Sequence, residues 1–230
     1  MKTVAIVCFL AEEIDNIKSG MEIISAKNIV GIDFIMGKML GNNVVLVKPY
    51  MGKVNSAVCT QILIDLYAVD FIIGVGAAGS LSNELAFGDI VISDDVCYYD
   101  FDMSFHSLRK GVIYEMEESF FKADPELIAF SSKAVEKIGK NVNIGRIVTG
   151  DRIVSSDEKG EIRSEFKALC ADMGSAAIAH TCYLNKIPFV IICLLYEKLS
   201  ENNLNSVGIF SSAELNAATQ SVEGIIDMIQ

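Results

Sequence analysis

The chain lacks a run of basic residues and a long apolar run, and each absence excludes a class of protein. Its 19 Lys and Arg residues are scattered and outnumbered by 30 Asp and Glu residues, which gives a formal net charge of −11. A nucleic-acid-binding protein would normally carry a basic patch. The longest apolar run, from Ile187 to Tyr196, is shorter than the roughly 20 residues that a membrane-spanning helix needs. We therefore expect no nucleic-acid partner and no membrane association.

Cysteine and histidine are also too sparse for a metal centre. None of the six cysteines has CxxC spacing and most lie inside apolar segments, which predicts buried, reduced thiols in a cytoplasmic protein. His180 and Cys182 are close in sequence, but no second pair of ligands accompanies them, so we expect neither a zinc site nor another cofactor. The apolar N-terminus runs directly into Glu12 and Glu13, which indicates a buried first strand rather than a signal peptide.

What remains is the composition of one globular domain. The 230 residues are 51% hydrophobic and 21% charged, without a linker, repeat or low-complexity segment. We therefore predict a single domain over residues 1–230. Apolar β-branched runs alternate with helix-like segments, which predicts an α/β sandwich, and a predicted hairpin around Gly41 makes its sheet mixed.

The predicted strands are Thr3–Phe9, Asp33–Met39, Val44–Pro49, Phe71–Val75, Asp89–Ser93, Asn143–Val148 and Pro188–Leu195. The predicted helices are Ala11–Ser19, Lys53–Leu66, Pro125–Ile138, Asp157–Leu169, Ser175–Asn185 and Ser211–Met228.

A glycine-rich stretch, Gly74 to Gly79, follows the apolar run Phe71–Ile73 and reads GxGxxG. A dinucleotide site requires a helix directly after this motif. Here nine residues lead into the next predicted strand, so no binding helix fits. The pattern predicts a glycine loop between two strands, where backbone N–H groups approach a small ligand. A nicotinamide-dependent oxidoreductase therefore ranks last among the candidates.

Several motifs, taken in order, resemble the 5'-methylthioadenosine/S-adenosylhomocysteine nucleosidases of the nucleoside phosphorylase/hydrolase superfamily. The resemblance extends from Lys2 to about Phe210. Its motifs are Leu10-Ala11-Glu12-Glu13-Ile14, Met51-Gly52-Lys53-Val54, Gly76-Ala77-Ala78-Gly79, Gly88-Asp89-Ile90-Val91, Thr149-Gly150-Asp151, Asp172-Met173, Ala177-Ile178-Ala179-His180 and Pro188-Phe189-Val190. The resemblance implies a three-layer sandwich with a central mixed twisted sheet flanked by helices. It also implies hydrolysis of an adenine nucleoside in methionine salvage, by a homodimer.

Hydrolysis of an N-glycosidic bond needs a base that activates water, an acid that protonates the leaving purine and a group that holds the ribose hydroxyls. The resemblance implies that Glu13 is the base. The acid position is Glu197, where the family has Asp. An alternative for Glu13 is an exposed first-turn acid favoured by the helix dipole. An alternative for Glu197 is the start of an exposed loop.

Besides Glu197, four positions depart from the family pattern. Gly174 replaces the ribose-binding Glu, Cys193 replaces an Arg, and Tyr196 and Ala77 replace serines. These changes predict altered or reduced activity. The alternative is a catalytically inactive homologue that binds a purine or has a structural role. A phosphate-using phosphorylase would need cationic groups near the glycine stretch, where Cys193 and Cys97 stand instead.

The resemblance also implies a set of substrate-binding residues. They are Leu10, Met51, Ala77, Ala78, Gly79, Ile153, Val154, Asp172, Met173 and Gly174. Met103 and His106 would line the pocket of the partner subunit. Met173 as a core residue and His106 as an exposed loop residue are the alternatives, and we expect His180 to be a core residue.

Overall fold

The computed structural model describes residues 1–196 and 210–229. The strands are β1 Thr3–Cys8, β2 Glu22–Ile29, β3 Ile32–Met39, β4 Asn42–Val47, β5 Phe71–Ser80, β6 Ile90–Tyr98, β7 Phe121–Lys122, β8 Val142–Thr149, β9 Ala168–Asp172 and β10 Phe189–Tyr196. The helices are α1 Ala11–Ser19, α2 Lys53–Tyr67, α3 Pro125–Lys137, α4 Lys159–Phe166, α5 Ser175–Asn185 and α6 Ser212–Met228, and a 3-10 turn covers Ser104–His106.

The strands form one mixed sheet in the order β10-β6-β8-β9-β5-β1-β4-β3-β2, with β7 paired to β6. Strand β10 also pairs with β5, in parallel, so that β5, β9, β8, β6 and β10 close into a ring. The ring brings the ends of β5, β9 and β10 together, because Gly79 pairs with both Ala171 and Tyr196.

Helices cover both faces of the sheet, and the buried strand β1 shows how the sequence specifies this. Its side chains alternate: Ala5 and Val7 join the apolar core beneath α2 and α5, whereas Val4, Ile6 and Cys8 join the core beneath α1, α3 and α6. Successive residues of a strand point to opposite faces, so an apolar run without polar alternation is buried on both sides. The predicted three-layer sandwich with a mixed sheet is therefore confirmed.

One predicted element is wrong, and one predicted helix is shorter than expected. The glycine stretch is not a loop, because β5 runs through it to Ser80. The predicted helix Asp157–Leu169 is shorter, because α4 ends at Phe166, Lys167 adopts a left-handed conformation and Ala168 begins β9. The strand β2 was not predicted because most of its side chains are exposed and it lacks a buried apolar face. The other predicted elements are present, with ends shifted by a few residues.

The glycines of β5 make room for side chains on neighbouring strands. A Cβ atom at Gly74 would lie 2.5 Å from Cδ1 of Ile191, and one at Gly76 would lie 2.7 Å from Cδ2 of Phe9. A Cβ atom at Gly79 would lie 3.0 Å from the hydroxyl of Tyr196. The GxGxxG spacing therefore serves side-chain packing across the sheet.

All six cysteines are buried and free, as the sequence predicts. Within residues 1–196 and 210–229, no helix is long and apolar enough to cross a membrane.

Candidate active site

A cavity of about 420 Å³ opens where β5, β9 and β10 end, beside the loop that follows β8. Its lining residues are Gly79, Leu81, Arg152, Ile153, Val154, Ser155, Ser156, Asp157, Lys159, Ala171, Asp172, Met173 and Tyr196. The ends of strands are where sheets of this class bind small ligands. The volume falls within the range typical of small-molecule pockets.

Glu13 is a fully buried carboxyl group in the first turn of α1. The backbone N–H of Leu10 donates to its Oε2 at 3.1 Å, whereas its Oε1 has no hydrogen-bond partner among the described residues. Burial raises the pKa of Glu13 to about 7, against opposing hydrogen bonds from the backbone of Leu10 and Phe9. A buried, half-satisfied carboxyl group with a pKa near neutrality is suited to proton transfer. The alternative interpretation of Glu13 as an exposed first-turn acid is therefore wrong.

Cys193 is a buried thiol whose pKa responds to both Glu13 and Asp172. Its thiol is hydrogen-bonded with that of Cys170; this bond and burial raise the pKa of Cys193, and the nearby charges of Asp172 and Glu13 add to the shift. The charges of both carboxyl groups act on this one thiol, and Asp172 lines the cavity. Glu13 itself is not among the residues that line the cavity.

Asp172 is held by hydrogen bonds from neighbouring residues of the protein. Its carboxylate accepts hydrogen bonds from the hydroxyl groups of Thr149 and Ser175 and from the backbone N–H of Ser175. The Thr149 hydroxyl in turn accepts from the N–H of Ala176 at 2.8 Å. Burial raises the pKa of Asp172, against these hydrogen bonds. Asp172 thus satisfies the free N–H groups at the start of α5 and fixes that helix against β8.

Two neighbouring side chains, those of Phe9 and Ser56, block the side-chain position of Gly174. A Cβ atom there would contact Cε1 of Phe9, and it would lie 2.6 Å from both Cζ of Phe9 and Oγ of Ser56. Ser56 is itself fully buried in α2. The position therefore has room for a hydrogen atom only, and the ring of Phe9 occupies the space that a side chain at Gly174 would fill.

A network of charged groups fixes the loop that follows β8. Arg152 donates to both carboxylate oxygens of Glu158, at 2.6 and 2.8 Å, and the hydroxyl of Tyr99 donates to the Arg152 carbonyl at 2.8 Å. Hydrogen bonds from Ser155 and Arg152 lower the pKa of Glu158 to about 2. The ion pair is exposed and contributes little to stability, but it orients the loop so that Ile153 and Val154 line the cavity.

The structure brings five of the predicted substrate-binding residues to this cavity: Gly79, Ile153, Val154, Asp172 and Met173. The other predicted residues lie outside its lining. Ala78 is fully buried in the core, Ala77 packs against the opposite core, and Leu10 precedes α1. Gly174 is covered by Phe9, as described above. Glu197 lies outside the described residues.

Met51, Met103 and His106, predicted to serve the site or its neighbour in a dimer, lie towards the surface. Met51 is 73% exposed, and the ring of His106 stacks on Tyr114 and meets the edge of Phe105, which is 94% exposed. His180 lies half-buried, with its ring stacked on Phe121 at 4.8 Å.

Sequence reasoning missed seven residues of the cavity lining. They are Leu81, Arg152, Ser155, Ser156, Asp157, Lys159 and Ala171. For the five residues from Arg152 to Lys159 the signal was the polar stretch directly after the Gly150-Asp151 pair, of which only Asp157 and Lys159 fell inside a predicted helix. Tyr196 was noted only as the replacement of a serine, and it lines the cavity. Phe9 was not considered, because nothing in its local sequence reveals its contact with Gly174.

Comparison with known proteins agrees with this architecture. The family model described as the phosphorylase superfamily matches residues 3–227. The chain is 30% identical over 228 residues to the 5'-methylthioadenosine/S-adenosylhomocysteine nucleosidase of Staphylococcus aureus strain JH9, covering 98% of this chain and 100% of that protein. The class defined by the fold is therefore the phosphorylase superfamily, and the chain belongs within it to the 5'-methylthioadenosine/S-adenosylhomocysteine nucleosidase family.

Solved structures lead to the same fold. The nucleosidase of Neisseria meningitidis, determined in complex with methylthio-immucillin-A, is 31% identical and superposes with a TM-score of 0.93 over 100% of both chains. The futalosine hydrolase of Helicobacter pylori superposes with a TM-score of 0.92 at 23% identity, over 99% of this chain and 98% of that one. At that identity the likeness concerns the fold alone.

Proposed function

We propose that this protein is an N-ribosyl hydrolase that cleaves the glycosidic bond of an adenine nucleoside such as 5'-methylthioadenosine or S-adenosylhomocysteine, in methionine salvage. The observation that carries the proposal is Glu13, whose Oε1 is buried without a described partner and whose pKa is raised to about 7. A carboxyl group kept in this state costs stability, and such groups are concentrated at functional sites. Similarity to nucleosidases over the full chain supports the same reaction class.

In this mechanism Glu13 in its ionised form removes a proton from water as the water attacks the sugar. Met173 would contact the ligand from the end of β9, and Ile153 and Val154 from the loop after β8. Glu197, which we predict to protonate the leaving purine, lies outside the described residues. The phenolic group of Tyr196, whose pKa is raised by burial, lines the cavity as a protonated hydrogen-bond donor.

The test is release of free adenine from 5'-methylthioadenosine and from S-adenosylhomocysteine by the purified protein. Glu13→Gln should reduce the rate by 100-fold or more, since general base catalysis contributes about 10²–10⁴-fold. The matched control is Glu12→Gln, the adjacent exposed residue of the same helix turn, which should retain the rate. The native rate should also rise with pH and level off above about pH 7, as Glu13 ionises. Release that is equally fast in Glu13→Gln would exclude the role of Glu13.

A second candidate, an inactive homologue that binds a purine, is favoured by one observation. Gly174 is covered by Phe9 and Ser56, so no carboxylate can hold the ribose from that position. The same assay separates the two candidates, because the second predicts binding of adenine without turnover of any nucleoside.

We further propose that the protein is a homodimer. Lys53 pairs with Asp100 at 2.7 Å and with Asp151 at 3.6 Å, which joins the start of α2 to the segments that contain Phe105 and Ile153. These segments expose large apolar side chains, which we call the apolar patch: Tyr50, Met51, Val54, Phe105 and Ile153. An exposed apolar patch of this kind indicates a protein interface.

Analytical ultracentrifugation at micromolar concentration should give twice the monomer mass. Val54→Glu, inside the apolar patch, should shift the protein towards monomer. Leu66→Glu, an exposed position about 18 Å further along the same helix, is the matched control and should leave the dimer intact. A native protein that sediments only as monomer would refute the proposal.

The buried, unpaired thiols are the basis for proposing a cytoplasmic location.

A further inference from the structure

The loop that follows β8 forms much of the cavity wall, although it has no regular secondary structure. It covers residues 150–158, and Arg152, Ile153 and Val154 belong to the cavity lining. A segment without a regular backbone hydrogen-bond pattern depends on its side-chain contacts for its position. The contacts of Arg152 described above hold the middle of the loop. A separate set of contacts holds its beginning, at Asp151.

Asp151 is bound to the start of α2 and to the segment after β6. Its Oδ1 accepts a hydrogen bond from the backbone N–H of Lys53 at 2.9 Å, and its Oδ2 lies 3.6 Å from Nζ of Lys53. Its own backbone N–H donates to Oδ2 of Asp100 at 3.0 Å. Nζ of Lys53 donates to both carboxylate oxygens of Asp100, at 2.9 and 2.7 Å. Each of the three residues therefore contacts the other two, and we call Lys53, Asp100 and Asp151 the loop clamp.

The start of α2 is built to receive the carboxylate of Asp151. Lys53 is the first residue of the helix, and Gly52 before it has no side chain to bind the free N–H groups. Asp151 supplies an acceptor there, and its negative charge is favoured by the helix dipole. Gly52 has a φ of 104°, and a Cβ atom on it would lie 3.3 Å from Oδ1 of Asp151. A glycine at this position therefore permits both the turn of the chain and the close approach of the carboxylate.

The charged groups of the loop clamp are partly shielded from solvent. The side chains of Lys53 and Asp100 are 27% and 19% exposed, and Nζ of Lys53 lies 5.5 Å from the centroid of the Tyr98 ring. The ion pair of Arg152 and Glu158 in the same loop is more open, with 48% and 35% exposure. Salt and water screen partly buried charges less than exposed ones. The loop clamp therefore holds its end of the loop more firmly than an ordinary surface ion pair would.

We infer that Lys53 is a positioning residue that sets the affinity of the cavity for its ligand from outside the cavity. It holds Asp151, and Asp151 fixes the point from which the chain continues to Ile153 and Val154 in the lining. Without the loop clamp the loop spends a smaller fraction of time in this position, and the apparent affinity falls by that fraction. Glu13 lies on α1 and takes no part in these contacts, so we expect a change in binding and little change in proton transfer. This inference rests on the proposed function, since it assumes that the cavity binds a purine.

Calorimetry with adenine as the ligand tests this in Lys53→Met, which keeps a side chain of similar length and removes the charge. We expect the same number of binding sites as in the native protein and a dissociation constant raised by about fivefold or more. The matched control is Lys2→Met, which removes the ion pair of Lys2 and Asp70 at the start of β5, the opposite end of that strand from the cavity. The control should keep the native dissociation constant. A purely structural role of Lys53 would lower the number of binding sites and leave the dissociation constant unchanged, and that result overturns the inference.

A double-mutant cycle shows whether Lys53 acts through Asp151. Asp151→Ala should also weaken adenine binding, and Lys53→Met/Asp151→Ala should bind no more weakly than the weaker single variant, because both substitutions break the same clamp. Effects that add in free energy overturn the inference. Both single variants should sediment as the native protein does. Weaker binding that comes with altered sedimentation also overturns it, since the effect would then arise from assembly.

Kinetics with 5'-methylthioadenosine separate this inference from the proposed function. Lys53→Met should raise KM by about the same factor as the dissociation constant of adenine and leave kcat near the native value. A native protein that binds adenine and releases it from the nucleoside, with unchanged binding and KM in Lys53→Met, overturns the inference while the proposed function stands. A native protein that neither binds adenine nor releases it overturns both.

Discussion

The buried Glu13 makes the stability of the protein depend on pH in a specific direction. Its ordinary pKa is 4.5 and its pKa in the folded protein is about 7. Below pH 4.5 the carboxyl group is protonated in both the folded and the unfolded chain. Between pH 4.5 and 7 the unfolded chain releases this proton while the folded chain retains it, so the free energy of unfolding falls as pH rises.

The magnitude follows from the same two values. Each pH unit between them lowers the free energy of unfolding by about 1.4 kcal/mol, which amounts to about 3 kcal/mol once pH exceeds 7. Glu13→Gln keeps the shape of the protonated side chain, and its amide oxygen can accept the hydrogen bond from Leu10. The variant should match the native protein at pH 4.5 and be more stable than it by about 3 kcal/mol at pH 8.

Urea unfolding at several pH values between 4.5 and 8.5 measures this difference. The comparison must be between the variant and the native protein at each pH, because Asp172 and His180 also have shifted pKa values and contribute equally to both. Glu12→Gln is the control and should depart from the native protein far less than Glu13→Gln does, since Glu12 is exposed and its charge is the smallest of the causes that shift the pKa of Glu13. A difference between Glu13→Gln and native protein that stays constant over this range would refute the assignment of a raised pKa to Glu13.

Three further predictions concern the framework of the site. Gly74→Ala should destabilise the protein by about 1–3 kcal/mol. Adding Ile191→Val, which removes the Cδ1 atom 2.5 Å from the new Cβ, should recover part of that loss. Additive effects of the two substitutions in a double-mutant cycle would contradict the packing described. Thr149→Val should cost about 1–3 kcal/mol by urea unfolding because it removes a partner from the buried carboxylate of Asp172; the control Thr60→Val, which removes only a helix hydroxyl, should cost less. A thiol reagent at pH 8 should label none of the six buried cysteines until the protein is unfolded, and fast labelling of the native protein would contradict their burial.

The sequence by itself determined the layers of the fold. Strand β1 is apolar at every position from Val4 to Cys8, and such a run can be buried only between two covering layers. The sequence also predicted the start of α3, because Pro125 favours the first helical position, and the end of α1, because Gly20 follows its last residue. The edge strand β2 could not be predicted, because most of its side chains are exposed and it therefore lacks the alternation of apolar and polar residues that marks a half-buried strand.

The order of the motifs identified Glu13 as a candidate base, but it did not reveal the burial or the raised pKa of its carboxyl group. Two adjacent acids in a first helical turn look alike in sequence, and only the tertiary structure buries Glu13 while leaving Glu12 exposed. The pKa of about 7 results from that burial, which depends on strands far away in the chain.

The sequence also showed that Gly174 lacks a carboxylate, and it left the reason open. Phe9, Gly76 and Gly174 are separated by more than 60 residues at each step, so no local pattern connects them. Only the folded chain reveals that a ring at one position requires hydrogen atoms at the other two, because a Cβ atom at either glycine would lie closer to the ring than van der Waals contact allows. Pattern and periodicity thus specify which faces are buried, whereas close packing between distant segments decides what the site has room to bind.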